Sequence, residues 1–321
     1  MRKAPVTVII PSYNASRFLS ETINSASKAG PEKIIVVDDG STDSTLEVAI
    51  NLQKTVKCLE VFTQPNAGES SAINLGLSKN KSKYVLFLSS DDLIEENLLT
   101  LASEALDANP SLSVAYPSWR KIDSSGKVIG QVTDLEFSYE RLIGNLECLP
   151  GPGSVIRSQA LTQGRLESMS QMGDFEQWIR LSSTGSFKHL KKVLASWRQH
   201  ETNMSSHSFG ARNSLELDII DSSVNLALSN LSGENIEHIR NLYKANWHKL
   251  KAIAEVRVSG STKSIKHLIE SFRILRRNRS LKMTKPWTVF EFFGCLLPQF
   301  SRFWIKLTNR FGPRFLTGTR P

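Results

Sequence analysis

The chain has 321 residues, 40% hydrophobic and 22% charged, which suits one large packed domain with an accessory segment and excludes a disordered or fibrous protein. Its three cysteines, Cys58, Cys148 and Cys295, form no CxxC pair and no Cys/His cluster, which argues against a disulfide framework or a zinc site and fits a reducing compartment. The net charge of +9 is uneven: residues 230–321 carry 18 Lys/Arg against 5 Asp/Glu, net +13, while the rest carries 22 against 26, net −4.

From the N-terminus, Val6–Ile10 reads as a strand that ends in the turn-rich Pro11-Ser12-Tyr13-Asn14. This apolar stretch is too short for a signal-peptide core, and no run of about 18 uncharged apolar residues predicts a membrane span. Ser16 is the expected N-cap of a helix reaching about Ala29, with Phe18, Leu19, Thr22, Ile23 and Ala26 on one face. A second strand over 33–38 runs into Asp39-Gly40-Ser41, and Thr42 or Ser44 is expected to cap the helix that follows. A third strand covers about 57–62, a helix about 70–78, and a fourth strand 84–88. The helix after Asp92 carries Leu98, Leu99, Ala102, Ala105 and Leu106 on one stripe, and a fifth strand covers Ser113–Tyr116. Alternation of this kind predicts an α/β fold with a mainly parallel sheet flanked by helices. Beyond 117 the pattern breaks into a hairpin turn at Asp123–Gly126, the stiff loop 149–153, a helix from Asp174 and a strand over about 187–197. Residues 211–275 read as helical. A front domain over 1–210 and a basic helical extension over 211–321 are therefore expected.

Two acidic pairs stand at the ends of apolar strands, Asp38-Asp39 and Asp91-Asp92. In a parallel sheet the ligand crevice lies at the carboxyl ends of the strands, so both pairs reach one edge. Asp-Gly-Ser-Thr-Asp is also good turn and cap chemistry, and Asp at 91 and 92 also suits a helix N-terminus. Hard divalent cations such as Mg2+ or Mn2+ favour carboxylate oxygens and take only one or two from protein when phosphates supply the rest.

Five segments together resemble family 2 glycosyltransferases of the GT-A fold: Val6 to Asn14, Val37 to Asp43, Asn66 to Asn74, Leu88 to Asp92, and Gly173 to Leu181. The resemblance covers about residues 5–205 and implies a nucleotide-sugar donor, UDP- or dTDP-linked, and transfer with inversion. It implies that Asp39 contacts the base, with Asp38 beside it and Pro11 and Tyr13 sandwiching the ring. Asp91 and Asp92 are then the ribose and metal ligands, although Ser89 stands where many members begin this motif with an aspartate. Asp174 is implied as the general base, with Gly173 replacing an acidic neighbour and Glu176 as the fallback. Arg198 and His200 resemble a loop that closes over the diphosphate, the arginine on phosphate and the imidazole on metal. Asn66, Gly68 and Asn74 are read as structural, and Trp178 as core or acceptor-pocket wall. Ser89 and Gly173 keep a second reading in view, a non-catalytic nucleotide-sugar or glycan-binding subunit.

Near the C-terminus, Phe290, Phe293, Leu297, Phe300, Trp304, Leu307 and Phe311 recur at helical spacing, with Arg302, Lys306 and Arg310 on another row. Such a helix can lie on an anionic membrane surface, pack on its own domain or form a dimer contact. No nucleic-acid-binding module accompanies the basic residues. The expected setting is cytoplasmic and peripheral at the inner face of the cell membrane, with a glycan or lipid-linked glycan as acceptor.

Overall fold

The computed structural model describes residues 3–133, 136–148, 150–161, 164–165, 169, 172–201, 211–231, 233, 235–258, 261–278 and 280–281. The aromatic, basic stripe expected over 290–311 lies outside them. The chain divides into two compact units: the first holds residues 1–136, 150–173 and 184–200, and the second holds 137–149, 174–183 and 201–321. The second unit thus takes residues 137–149, 174–183 and 201–210 from within the span 1–210.

The first unit is built on one sheet. Strands β1 (Ala4–Ser12), β2 (Pro31–Asp38) and β3 (Leu59–Thr63) alternate with helices α1 (Leu19–Lys28) and α2 (Thr45–Gln53). Helix α3 (Glu69–Lys79) leads to β4 (Tyr84–Phe87), and a two-residue β5 (Leu93–Ile94) precedes α4 (Leu98–Ala108). Next come the long β6 (Leu112–Ile122), its hairpin partner β7 (Val128–Val132), β8 (Val155–Arg157) and β9 (Ser186–Arg198). The strand order is β3-β2-β1-β4-β8-β6-β9-β5, with β7 on β6. Strands β3, β2, β1 and β4 are mutually parallel, as the alternating pattern predicts. Beyond them β8 inserts antiparallel between β4 and β6, and β6 then pairs parallel with β9. Val6, Val8, Ile9, Ile10 and Ile34 to Val37 are fully buried, as a strand covered on both faces requires. Each such side chain contributes about 1.5–3 kcal/mol relative to exposure.

Helix α1 begins two residues later than expected. Ser16 does not cap it: its hydroxyl donates to Asp43 Oδ2 at 2.7 Å, and Phe18 occupies the N-cap without a side-chain hydrogen bond. Likewise Ser44 precedes α2 without capping it, and the N–H of Thr45 goes to Asp43 Oδ1 at 2.9 Å. Partial burial works against the Asp43 carboxylate, but the hydrogen bonds from Thr45 and Ser16 outweigh it and hold its pKa below the ordinary value.

The second unit contains a π-helical turn at Glu140–Gly144, most of α5 (Gly173–Ser182), and α6 (Ala211–Asn230), α7 (Ile236–Val258) and α8 (Ser261–Arg277). Small polar side chains join α8 to α7: Ser264 donates to Ala252 O at 3.0 Å and Ser271 to Ala245 O at 2.9 Å. Asn246 on α7 donates to Gly144 O at 2.9 Å, and the Trp247 indole N–H donates to Leu217 O on α6 at 3.1 Å.

Candidate functional site

Strands β1 and β2 end side by side, with Ser12 opposite Asp38 and the Asp39 N–H on Ser12 O at 2.8 Å. Asn14 (φ 50°) ties the two following loops together, because its Oδ1 accepts from Thr42 N at 2.8 Å while its own N–H donates to Ser41 Oγ at 3.0 Å. Tyr13 stands between them, half-exposed, while Pro11 is buried. Gly40 has φ +70°, and a Cβ there would stand 2.7 Å from Asn66 N, so the 39–41 turn and the 64–68 loop touch backbone to backbone.

The first acidic pair divides its work. Both carboxylates are buried. Asp39 Oδ1 accepts from Gln64 Nε2 at 2.7 Å and Ala67 N at 2.9 Å, and its Oδ2 accepts from Gly68 N at 2.8 Å. Asp39 therefore fastens the loop that starts α3. Asp38 Oδ2 receives one long bond, 3.3 Å from Ser41 N, and its Oδ1 is buried with no hydrogen-bond partner. A buried acceptor in that state lacks a donor that a ligand can bring.

The second pair lies beyond β4. Asp92 N–H donates to Ser89 O at 3.1 Å, and Thr22 on α1 holds the same turn through Ser90 O at 3.0 Å. Arg198, the last residue of β9, secures both acids: its backbone N–H donates to Asp92 Oδ1 at 2.9 Å and its Nε to Asp91 O at 2.9 Å. Its Nη2 meets Glu21 Oε2 at 2.6 Å, and its guanidinium carbon lies 4.6 Å from the Phe18 ring centroid. The Arg198 side chain is 1% exposed, so this arginine is a fixed part of the unit rather than a member of an open loop. His200 follows, with Nε2 2.9 Å from Asp91 Oδ2 and its ring 4.9 Å from that of Phe18. Burial, and next the charge of Asp91, push the Asp92 carboxyl well above the usual carboxylate range, against the N–H and charge of Arg198. The pair thus sets two carboxylates side by side, with the His200 imidazole against Asp91. Among the described residues, no group of three or more His, Cys, Asp or Glu side chains is arranged to hold a metal by itself.

Asp174 belongs to the second unit, in the first turn of α5. Its Oδ1 accepts from Phe175 N at 2.7 Å, and its Oδ2 lies 3.9 Å from the Cys148 thiol. Glu176 is 1% exposed and engaged by Arg180, at 3.0 and 3.1 Å, and by the Ser223 hydroxyl at 2.8 Å. Both of its oxygens are thus engaged within the second unit. Trp178 is buried.

Asn74 holds the main chain of Arg165. Its amide brackets Arg165, donating to Arg165 O at 2.9 Å and accepting from Arg165 N at 2.8 Å. Gly164 beside it has no room for a Cβ, which would fall 2.3 Å from Asn74 Oδ1. Arg165 is thereby placed over the Phe87 ring at the end of β4, with Nη1 3.6 Å from Glu69 Oε2. The irregular sequence around Arg165 gave no periodic signal for it. Glu21, on α1, was read only as part of a helix.

Residues 7–161 match the family described as Glycosyl transferase family 2. The chain is 28% identical over 223 residues to a hyaluronan synthase of Pasteurella multocida, covering 68% of this chain and 23% of that one. It is 25% identical over 256 residues to a chondroitin synthase of Escherichia coli, covering 78% of this chain and 37% of that one. The chain thus spans about a quarter to a third of the length of these relatives. Among solved structures, S. aureus TarS 1–349 in complex with UDP-GlcNAc superposes with a TM-score of 0.63 at 19% identity, covering 86% of this chain and 81% of that one. A mannosyltransferase from Pyrobaculum calidifontis in complex with GDP-Man and Mn2+ gives a TM-score of 0.58 at 14% identity, covering 97% and 88%. These likenesses show the GT-A fold.

Proposed function

Residues 7–161 belong to glycosyltransferase family 2, and from that premise we propose that the chain transfers a sugar from a UDP- or dTDP-sugar to a hydroxyl of a glycan or lipid-linked glycan, with inversion. The observation that carries this reading is the acidic pair Asp91-Asp92 beyond β4, with Asp92 buried and the partly exposed Asp91 meeting His200 Nε2 at 2.9 Å. Asp91, Asp92 and His200 would hold Mg2+ or Mn2+, which when bound neutralises charge on the departing diphosphate.

The remaining steps fall to the chain's own groups. Asp38, rather than Asp39, reads the base, because Asp39 is already engaged by Gln64, Ala67 and Gly68 while Asp38 Oδ1 has no donor. The imide N–H of uracil or thymine supplies that donor, and the exposed Tyr13 ring can stack on the base. Arg198 organises the acidic pair and leaves diphosphate contact to other groups. Asp174, in the first turn of α5, is the proposed general base, the carboxylate that takes the proton of the acceptor hydroxyl.

The names of the two synthases and the basic composition of 230–321 support a polysaccharide acceptor handled at an anionic membrane face. Among the described residues no helix is long and apolar enough to cross a membrane, so the association proposed is peripheral. Thermal stabilisation by a panel of UDP-, dTDP- and GDP-sugars, with donor hydrolysis measured with and without Mn2+, tests the reading. Binding without any hydrolysis or transfer would make the protein a nucleotide-sugar-binding subunit instead.

A further inference from the structure

Helix α8 is held to α7 along one side. Ser264, Leu268 and Ser271, at four- and three-residue spacing, are buried, and the two serine hydroxyls donate to Ala252 O and Ala245 O of α7. That fixes which rows of α8 face outward. Ile265, Ile269, Phe272 and Arg276 share one outer row, on which Ile269 is 51% and Phe272 40% exposed. The adjoining row carries Lys266, Glu270, Arg273 and Arg277. Glu270 pairs with Arg273, whereas Lys266, Arg276 and Arg277 are exposed and meet no carboxylate among the described residues. The large exposed apolar side chains described in the second unit are Leu226, Ile269 and Phe272, so two of the three stand one turn apart on this row, beside unpaired cations.

We infer that α8 is a membrane-docking helix: Ile265, Ile269 and Phe272 enter the boundary between headgroups and acyl chains of an anionic bilayer, while Lys266, Arg276 and Arg277 meet lipid phosphates. The inference rests on the peripheral membrane association proposed above and gives it a location. An apolar row bordered by a basic row is the pattern of a helix lying in the plane of a charged interface. A polynucleotide offers the cations phosphates but leaves Ile269 in water. A second copy docked through the same face would bring the basic rows of two helices together.

The full chain is sedimented with sucrose-loaded vesicles of phosphatidylcholine alone, or of phosphatidylcholine and phosphatidylglycerol in equal parts, and the urea midpoint and UDP affinity are measured alongside. The parent should bind the mixed vesicles in preference to the neutral ones. Lys266→Gln/Arg276→Gln should weaken that binding by about 30-fold, the equivalent of about 1 kcal/mol for each basic residue at an anionic surface. Ile269→Ser should weaken it by about tenfold, the scale for losing one partly inserted aliphatic side chain, and because it leaves the net charge unaltered its effect reports the face itself. Both variants alter exposed positions, so the urea midpoint and UDP affinity should match the parent. If both bind the mixed vesicles as tightly as the parent, α8 is not the contact, and the peripheral association stands on other residues. A parent that binds neither vesicle removes the association and the role of α8 together. A parent dimer that Ile269→Ser converts to monomer assigns the face to a second copy and likewise overturns the inference. Failure of the parent to bind UDP would count against the nucleotide-sugar reading and leave α8 to be decided by the vesicles.

Discussion

Asp38 and Asp39 are adjacent, chemically identical and equally buried, yet the structure assigns them opposite consequences on substitution. Asp39→Asn keeps one oxygen but presents an amide NH2 where one of three N–H donors now points. The loop residues Ala67 and Gly68 are exposed, so water offsets part of the loss. The expected cost is about 1–3 kcal/mol, the range for an unsatisfied donor plus weakened charge-assisted bonds. At an m-value of about 2 kcal/mol/M, the urea midpoint falls by about 1 M. Asp38→Asn removes a charge whose Oδ1 has no partner and whose Oδ2 has one bond at 3.3 Å. Its stability should change by less than about 1 kcal/mol. UDP affinity, however, should fall about 10- to 150-fold, the equivalent of losing a hydrogen bond to a charged acceptor worth about 1.5–3 kcal/mol. Urea unfolding followed by tryptophan fluorescence, with UDP titrated calorimetrically into each variant, separates the two. An Asp39→Asn protein with the parent midpoint and no UDP binding, beside an Asp38→Asn protein that still binds, would refute the assignment.

Three further outcomes are expected. Asp174→Asn should abolish transfer while leaving UDP affinity within about twofold of the parent, since a base acts on the acceptor and not the nucleotide; equal turnover would remove Asp174 from the reaction. Gly40→Ala should lower stability by about 1–3 kcal/mol in urea unfolding, because it forces a Cβ onto Asn66 N at a positive φ; a parent-like midpoint would show that the 64–68 loop can retreat. Burial, and next the neighbouring His267, push His248 down to about 4 from 6.5, with Glu270 and Asp221 opposing and Lys244 assisting. Its folded pKa is depressed, so its contribution to stability is complete above about 6.5 and declines as pH falls toward 4. His248→Asn should flatten that limb of a melting-temperature profile, and an unaltered limb would assign the loss to other groups.

The strands β1, β2 and β4 were legible because each is a short apolar run closed by turn formers, and such runs bury on both faces wherever they are placed. What could not be read was pairing at a distance. β8 is three residues long and carries no period, yet it turns the sheet from parallel to mixed. Arg198 sits 106 residues from the Asp92 carboxylate that its N–H holds, and the antiparallel pairing of β9 with β5, the strand that follows Asp92, brings it there. From sequence it was indistinguishable from a loop arginine awaiting a phosphate. Ser16 was misread as a cap for a related reason: cap chemistry states what a hydroxyl can accept locally, not which distant carboxylate competes for it. The second unit shows the same limit, since 137–149 and 174–183 join α6 to α8 across long separations that no local pattern encodes.

The two acidic pairs stand in different local structure: Asp38 is the last residue of β2, whereas Asp91 and Asp92 lie in the turn between β4 and β5. In each pair one member is engaged by the architecture. In the first pair Asp39 fixes the 64–68 loop, and in the second Asp92 takes the Arg198 N–H that joins β9 to this edge. The other members differ accordingly: Asp38 keeps an oxygen with no donor, and Asp91 meets the imidazole of His200. Motif spacing can identify the pair, but which member is engaged depends on partners outside either motif: the 64–68 loop for the first, and β9, paired antiparallel with β5, for the second.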